Sequence, residues 1–187
     1  MSHIHQAVLD PTGQYLVFPD LGADLVRVYC IDQGSGLLTE HTSLKSKHGY
    51  GPRHATFWSS GDAKSIYMFV IHELSNKIIS YEVGYLESGG LTFSEIDEVS
   101  TYGDRDIPVG AKAAEVLIYN NFLVVSNRNG SIFNAPNPDL NNSTTIPSDS
   151  LATFKLSLAG SLSFVQLAPT GGTFPRHWYD NPSTNTI

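Results

Sequence analysis

Four short stretches place titratable side chains one or two residues ahead of apolar runs: His5 before "AVL", Arg53 and His54 before "ATFW", Glu115 before "VLIY", and Arg176 with His177 before "WY". Charged groups entering a strand are costly unless they face water or a ligand. His5 has an unperturbed pKa near neutrality and can therefore act as general base or acid. The only arginines are Arg27, Arg53, Arg105, Arg128 and Arg176. Arg53 and Arg128 suit paired anion recognition, because a planar guanidinium grips a carboxylate or phosphate through two hydrogen bonds. Arg176 repeats the "PR" entry and is a candidate third member. Glu73 follows the apolar run "IYMFVI", with His72 between. A carboxyl at the edge of a buried strand can have a raised pKa and so donate a proton. Glu115 can balance the arginines or contact a substrate. The plain alternatives are a surface histidine, ordinary ion pairs with the 18 acidic residues, and a solvated turn glutamate.

Other chemistries find little support. The seven histidines show no H-x-x-x-H or clustered carboxylate spacing, so no metal is expected. "DLGAD" lacks the alternating ligands of a calcium loop and reads as a tight turn. Phosphate loops, dinucleotide fingerprints and serine nucleophile elbows are absent, and no cofactor is expected. The net charge of −7 offers no basic surface for nucleic acid. A single cysteine, Cys30, excludes an internal disulfide. No signal peptide or membrane-length apolar run is visible, so a cytoplasmic protein without membrane contact is expected.

The elements that must position these groups are strands. Hydrophobic residues make up 41% and charged residues 16% of 187, a globular balance. Short β-rich runs separated by turn clusters predict strands near 6–9, 15–18, 25–30, 55–58, 66–71, 77–83, 115–119, 122–126, 151–157 and 162–167. Helix is expected to be slight. The polar stretch at about 134–150, "NAPNPDLNNSTTIPSDS", reads as a flexible loop inserted in one domain spanning 1–187. Superposed, His5, His54, Glu115 and His177 occupy equivalent places at spacings of 49, 61 and 62 residues. Units of about 40–50 residues with four short strands are the signature of β-propeller blades. Their innermost strands surround a central channel, so polar residues at each entrance would ring its mouth. At this period the chain holds three to four blades, an incomplete set.

The segments "HQAVLDPTGQYLVFPDLGADLVRVY", "GPRHATF", "HELSNKIISYEV", "AEVLIYNNFLVVSNRNG" and "FPRHW" resemble, in order, the lactonase family of seven-bladed propellers. That family includes 6-phosphogluconolactonases and carboxy-cis,cis-muconate cyclases. The resemblance implies middle and later blades of a seven-bladed parent. It places the family's proposed active-site histidine on His5, its arginine on Arg53, its glutamate on Glu73 and a second arginine on Arg128. Ile4 stands where the family commonly has proline, and His72 where it usually has asparagine.

On this reading His5 or Glu73 activates water against a lactone carbonyl and Arg53 stabilises the oxyanion. Arg128 holds the remote anionic group, with Glu115 and Arg176 as further substrate contacts. The expected partner is a small anionic lactone or polycarboxylate. Hydrolysis of the 6-phosphogluconolactone type, ring closure of the muconate cyclase type, and a non-catalytic or degenerate binding propeller all remain open. Unpaired blade edges would favour self-association.

Overall fold

The computed structural model describes residues 1–61 and 65–177 and contains strands but no helix among them. The strands are β1 (Val8–Leu9), β2 (Tyr15–Asp20), β3 (Leu25–Ile31), β4 (Leu38–Lys45), β5 (Pro52–Ser59), β6 (Ile66–His72) and β7 (Lys77–Tyr85). They continue with β8 (Leu91–Ser100), β9 (Lys112–Tyr119), β10 (Phe122–Arg128), β11 (Phe133–Pro136), β12 (Thr145–Ser148), β13 (Ser150–Leu156) and β14 (Leu162–Pro169). Three four-stranded antiparallel sheets result, in the orders β1-β2-β3-β4, β5-β6-β7-β8 and β9-β10-β13-β14. Each is one propeller blade.

Side-chain alternation along β6 explains how the blades stack. Successive residues of a strand point to opposite faces. Tyr67, Phe69 and Ile71 pack with Ala113, Val116, Leu123, Val125 and Phe154 of the third blade. Met68 and Val70 pack with Tyr15, Val17, Val26 and Val28 of the first. The run "YMFVIH" is buried throughout because both of its faces are covered. The innermost strands carry small residues, Ala55, Ala113 and Ala114, all fully or nearly buried. Small side chains let the strands converge where the blades taper toward the axis.

The strands expected from the short β-rich runs are present, and "LGAD" is the turn between β2 and β3. Strands β4 and β8 were not expected. Both are outer strands rich in polar residues, "LTEHTSLK" and "LTFSEIDEVS", with largely exposed or half-buried patterns. The stretch at about 134–150, expected as a flexible loop, instead carries the β11–β12 hairpin, with Phe133 paired to Ser148 and Pro136 to Thr145. Its tip is closed by hydrogen bonds from Asn137 N to Thr144 O (3.1 Å) and from Asn142 N to Asp139 O (2.9 Å). Asx turns, in which Asn137 Oδ1 accepts from Asp139 N (3.0 Å), Asp139 Oδ1 from Asn141 N (3.0 Å) and Asn142 Oδ1 from Thr144 N (3.1 Å), add local order to this polar segment. Its last residues, Ser148, Asp149 and Ser150, are buried.

Candidate active site

The site begins with the backbone that aims it. In β5, Pro52 pairs with His72 and His54 with Ile71, which leaves Arg53 as an extra residue. In β9, Ala113 pairs with Asn127 and Val116 with Val125, so Ala114 and Glu115 lie opposite Ser126 alone. Both are β-bulges in the innermost strand of a blade. A bulge breaks the strict alternation and re-aims the side chains beside it. Consecutive residues can then turn toward a shared space.

Arg53 is 3% exposed. Its Nε–H donates to the Ala114 carbonyl (2.9 Å), and its Nη1 to Glu73 Oε2 (2.7 Å). Arg128, at the end of β10, places its Nη2 2.7 Å from the same Oε2. One carboxylate oxygen thus joins guanidiniums from two adjacent blades. Burial lowers the Arg53 pKa below its usual value; Arg128 and Arg176 add to that effect, and the Glu73 carboxylate opposes it. The Nε of Arg128 is buried without a hydrogen-bond partner. His5 lies beside this group, its Nε2 3.5 Å from Arg53 Nη1. Its ring is solvent-exposed. What burial it has, together with the Arg53 charge, lowers its pKa below the ordinary histidine value, against the pull of Glu73. His5 is therefore harder to protonate than a free imidazole, which suits a base.

Local contacts hold these residues in place. His5 N donates to Pro19 O (3.1 Å) and Leu21 N to His3 O (3.0 Å), so residues 3–5 continue the pairing along β2. Asp24 accepts Gly49 N (2.8 Å) and Gly51 N (2.9 Å), and Glu73 N donates to Gly51 O (2.8 Å). Gly51 has φ +65°, and a Cβ there would stand 2.7 Å from Leu74 Cγ. Only glycine fits a left-handed backbone with that approach. This one turn sets the positions of both Arg53 and Glu73.

Among the described residues no hydrogen bond or ion pair joins Glu115 to Arg53 or Arg128. Glu115 is 3% exposed. Its Oε1 accepts from His54 Nδ1 (2.6 Å) and from Val116 N (3.0 Å), and its Oε2 accepts from His177 Nδ1 (2.6 Å). Burial pushes its pKa up, but the hydrogen bonds and charge of His54, with Val116 N–H and His177, carry it below the usual carboxylate value. The expectation that Glu115 balances the arginines is therefore replaced: its partners are histidines. Arg176 is exposed and forms no ion pair among the described residues, although its charge reaches Arg53.

One organising residue was not anticipated. Asp149, 1% exposed, accepts backbone N–H groups from Asn129 (3.0 Å), Gly130 (2.8 Å), Ser131 (2.6 Å) and Phe174 (2.7 Å). It ties the turn after Arg128 to the segment that leads into Arg176 and His177. Burial works to raise its pKa, and the four amide hydrogen bonds take it below the ordinary value. The available signal was an aspartate flanked by serines, directly ahead of the strand "LATFKL".

A family model described as "Lactonase, 7-bladed beta-propeller" matches residues 1–187. The chain belongs to the lactonase family of seven-bladed β-propellers. It is 33% identical over 185 residues to a probable 6-phosphogluconolactonase of Arthroderma benhamiae, covering 97% of this chain and 42% of that relative. It is 33% identical over 184 residues to 6-phosphogluconolactonase of Bacillus subtilis, covering 97% of this chain and 45% of the relative. A crystal structure of a protein from Lactobacillus plantarum superposes with a TM-score of 0.74 at 32% identity, covering 97% of this chain and 46% of that one. The chain thus spans less than half the length of these proteins, in keeping with three four-stranded blades from a seven-bladed fold. Among the described residues no helix is long and apolar enough to cross a membrane.

Proposed function

We propose that the chain carries a site for hydrolysis of a small phosphorylated lactone of the 6-phosphogluconolactone type, as one domain that contributes part of a lactonase propeller. The observation that supports this best is the convergence of Arg53 and Arg128, from adjacent blades, on one oxygen of Glu73 beside His5. The names of the Arthroderma and Bacillus relatives support hydrolysis in preference to ring closure.

In this reading His5 takes a proton from water as the water oxygen attacks the lactone carbonyl. The nearby Arg53 guanidinium stabilises the oxyanion that forms. Glu73 is the shared anchor that holds two like charges close together, in place of the proton donor the sequence suggested. Each guanidinium has five N–H donors, so binding Glu73 leaves others for a ligand. Arg128 takes the remote phosphate, with Arg176 at the rim.

The test is hydrolysis of 6-phosphoglucono-δ-lactone by the purified chain, followed by proton release. Removal of His5 (His5→Gln) is expected to lower kcat by about 10²-fold or more. Removal of Arg128 (Arg128→Ala) is expected chiefly to raise KM. Absence of turnover by the wild-type chain would favour the binding-module reading.

A further inference from the structure

Glu115, His54 and His177 form a group that the arginine–glutamate site does not use. Glu115 is a carboxylate with every close partner a donor. A carboxylate oxygen can only accept, so the His54 nitrogen at 2.6 Å must be Nδ1–H. Val116 N–H shares that oxygen and fixes its direction. Glu115's own backbone is held by a bond from its N–H to Ser126 Oγ (3.0 Å), and Ser126 Oγ donates on to Pro175 O (3.2 Å). The carboxylate is therefore immobilised on both sides. No hydrogen bond within the described residues occupies His54 Nε2, and the His54 ring lies 6.3 Å from the His5 ring, centroid to centroid. A buried imidazole with one nitrogen committed to a fixed carboxylate exchanges protons at the other nitrogen alone.

We infer that His54 is a second proton-transfer residue of the site and that Glu115 is its positioning residue. The inference rests on the lactone-hydrolysis reading. Hydrolysis needs two proton movements. Water gives one proton to His5 as its oxygen bonds to the carbonyl carbon. When the tetrahedral intermediate collapses, the ring C–O bond breaks and its electron pair goes to the ring oxygen. That oxygen takes the proton from Nε2 of the His54 imidazolium, leaving neutral His54 with Nδ1–H still on Glu115. The new carboxylic acid loses its remaining proton to solvent. The proton held by His5 returns through solvent to His54, and the site is reset. His177 caps the other oxygen of Glu115 and keeps that carboxylate from rotating away.

Two measurements test this on the same 187-residue chain. Long-range ¹H–¹⁵N spectra of the imidazoles report which nitrogen of neutral His54 carries the proton. Wild-type protein is expected to show the Nδ1–H form alone. Glu115→Gln is expected to show a mixture of tautomers, because an amide can donate as well as accept. A neutral His54 with its proton on Nε2 in the wild type would overturn the positioning role, whether or not the chain turns over lactone. In turnover of 6-phosphoglucono-δ-lactone, His54→Gln is expected to lose about 10²-fold in kcat with KM unchanged. Glu115→Gln is expected to lose about 10-fold in kcat with KM unchanged. Wild-type kcat in His54→Gln would overturn the proton-transfer role. A wild-type chain with no turnover would overturn the hydrolase reading and the donor role with it, while the spectra would still decide the Glu115–His54 arrangement.

Discussion

Replacing Glu73 by glutamine should turn a neutralised cluster into a trap for anions. The change is nearly isosteric and removes only the charge. In the wild type Arg53 Nη1 and Arg128 Nη2 each lie 2.7 Å from Glu73 Oε2, and the side chains of Arg53, Arg128 and Glu73 are 4%, 11% and 13% exposed. With so little water, the two cations are poorly screened. At a separation on the order of 5 Å and an effective dielectric near ~20, their uncompensated repulsion is about 3 kcal/mol. Breaking a buried pair by removing one partner costs roughly 3–5 kcal/mol, which agrees. For a chain of this size that corresponds to a fall in Tm of roughly 6–12 °C. The assay is thermal unfolding of Glu73→Gln and wild type across a phosphate titration at constant ionic strength. Phosphate at about 100 times its Kd should restore roughly 2.7 kcal/mol to the variant. The wild type should gain less, because Glu73 competes for the same donors. A variant within about 0.5 kcal/mol of wild type, with no phosphate response of its own, would refute the shared-anion reasoning.

Three further outcomes are expected. His72 is fully buried, with Nε2 3.2 Å from Ser46 Oγ, its ring against Tyr50, and the carboxylates of Asp24 and Glu98 near by. Burial pushes its pKa down to about 4, so the unfolded chain takes up the proton first and stability falls as pH drops below about 6.5 toward 4. Urea unfolding should show a loss of about 2 kcal/mol from this residue between pH 7 and pH 5, and His72→Asn should flatten that dependence. Asp149→Ala leaves four backbone N–H groups without their acceptor and should cost about 3 kcal/mol or more; hydrogen exchange should quicken at Asn129, Gly130, Ser131 and Phe174 before it does in β6. Gly51→Ala forces a side chain against Leu74 at a left-handed backbone position and should cost roughly 1–3 kcal/mol, with a larger proportional loss of anion binding than of stability.

Much of this architecture is local and therefore legible in the chain. Continuous apolar runs in "YLVF", "IYMFVI" and "FLVVS", broken by turn residues, determine the inner strands because each has two faces to bury. The recurrence of His5, His54, Glu115 and His177 follows from blade repetition. Strands β4 and β8 escaped that logic, since an outer strand exposes polar residues and is held mainly by its backbone ladder to β3 and β7. What those titratable residues bond to was decided by the tertiary structure alone. Two bulges, invisible to a period-2 reading, turn Arg53 toward Glu73 and Glu115 toward His54. By residue type alone Glu115 was open to balancing the arginines or contacting a substrate. The bulge sets it between two imidazoles, with the Nδ1 of His54 and of His177 each 2.6 Å from one of its carboxylate oxygens. Asp149 lay hidden in a polar stretch because its four partners come from two segments, 18 to 25 residues away on either side. Sequence specifies which groups are available and how often they recur; blade packing decides which of them meet.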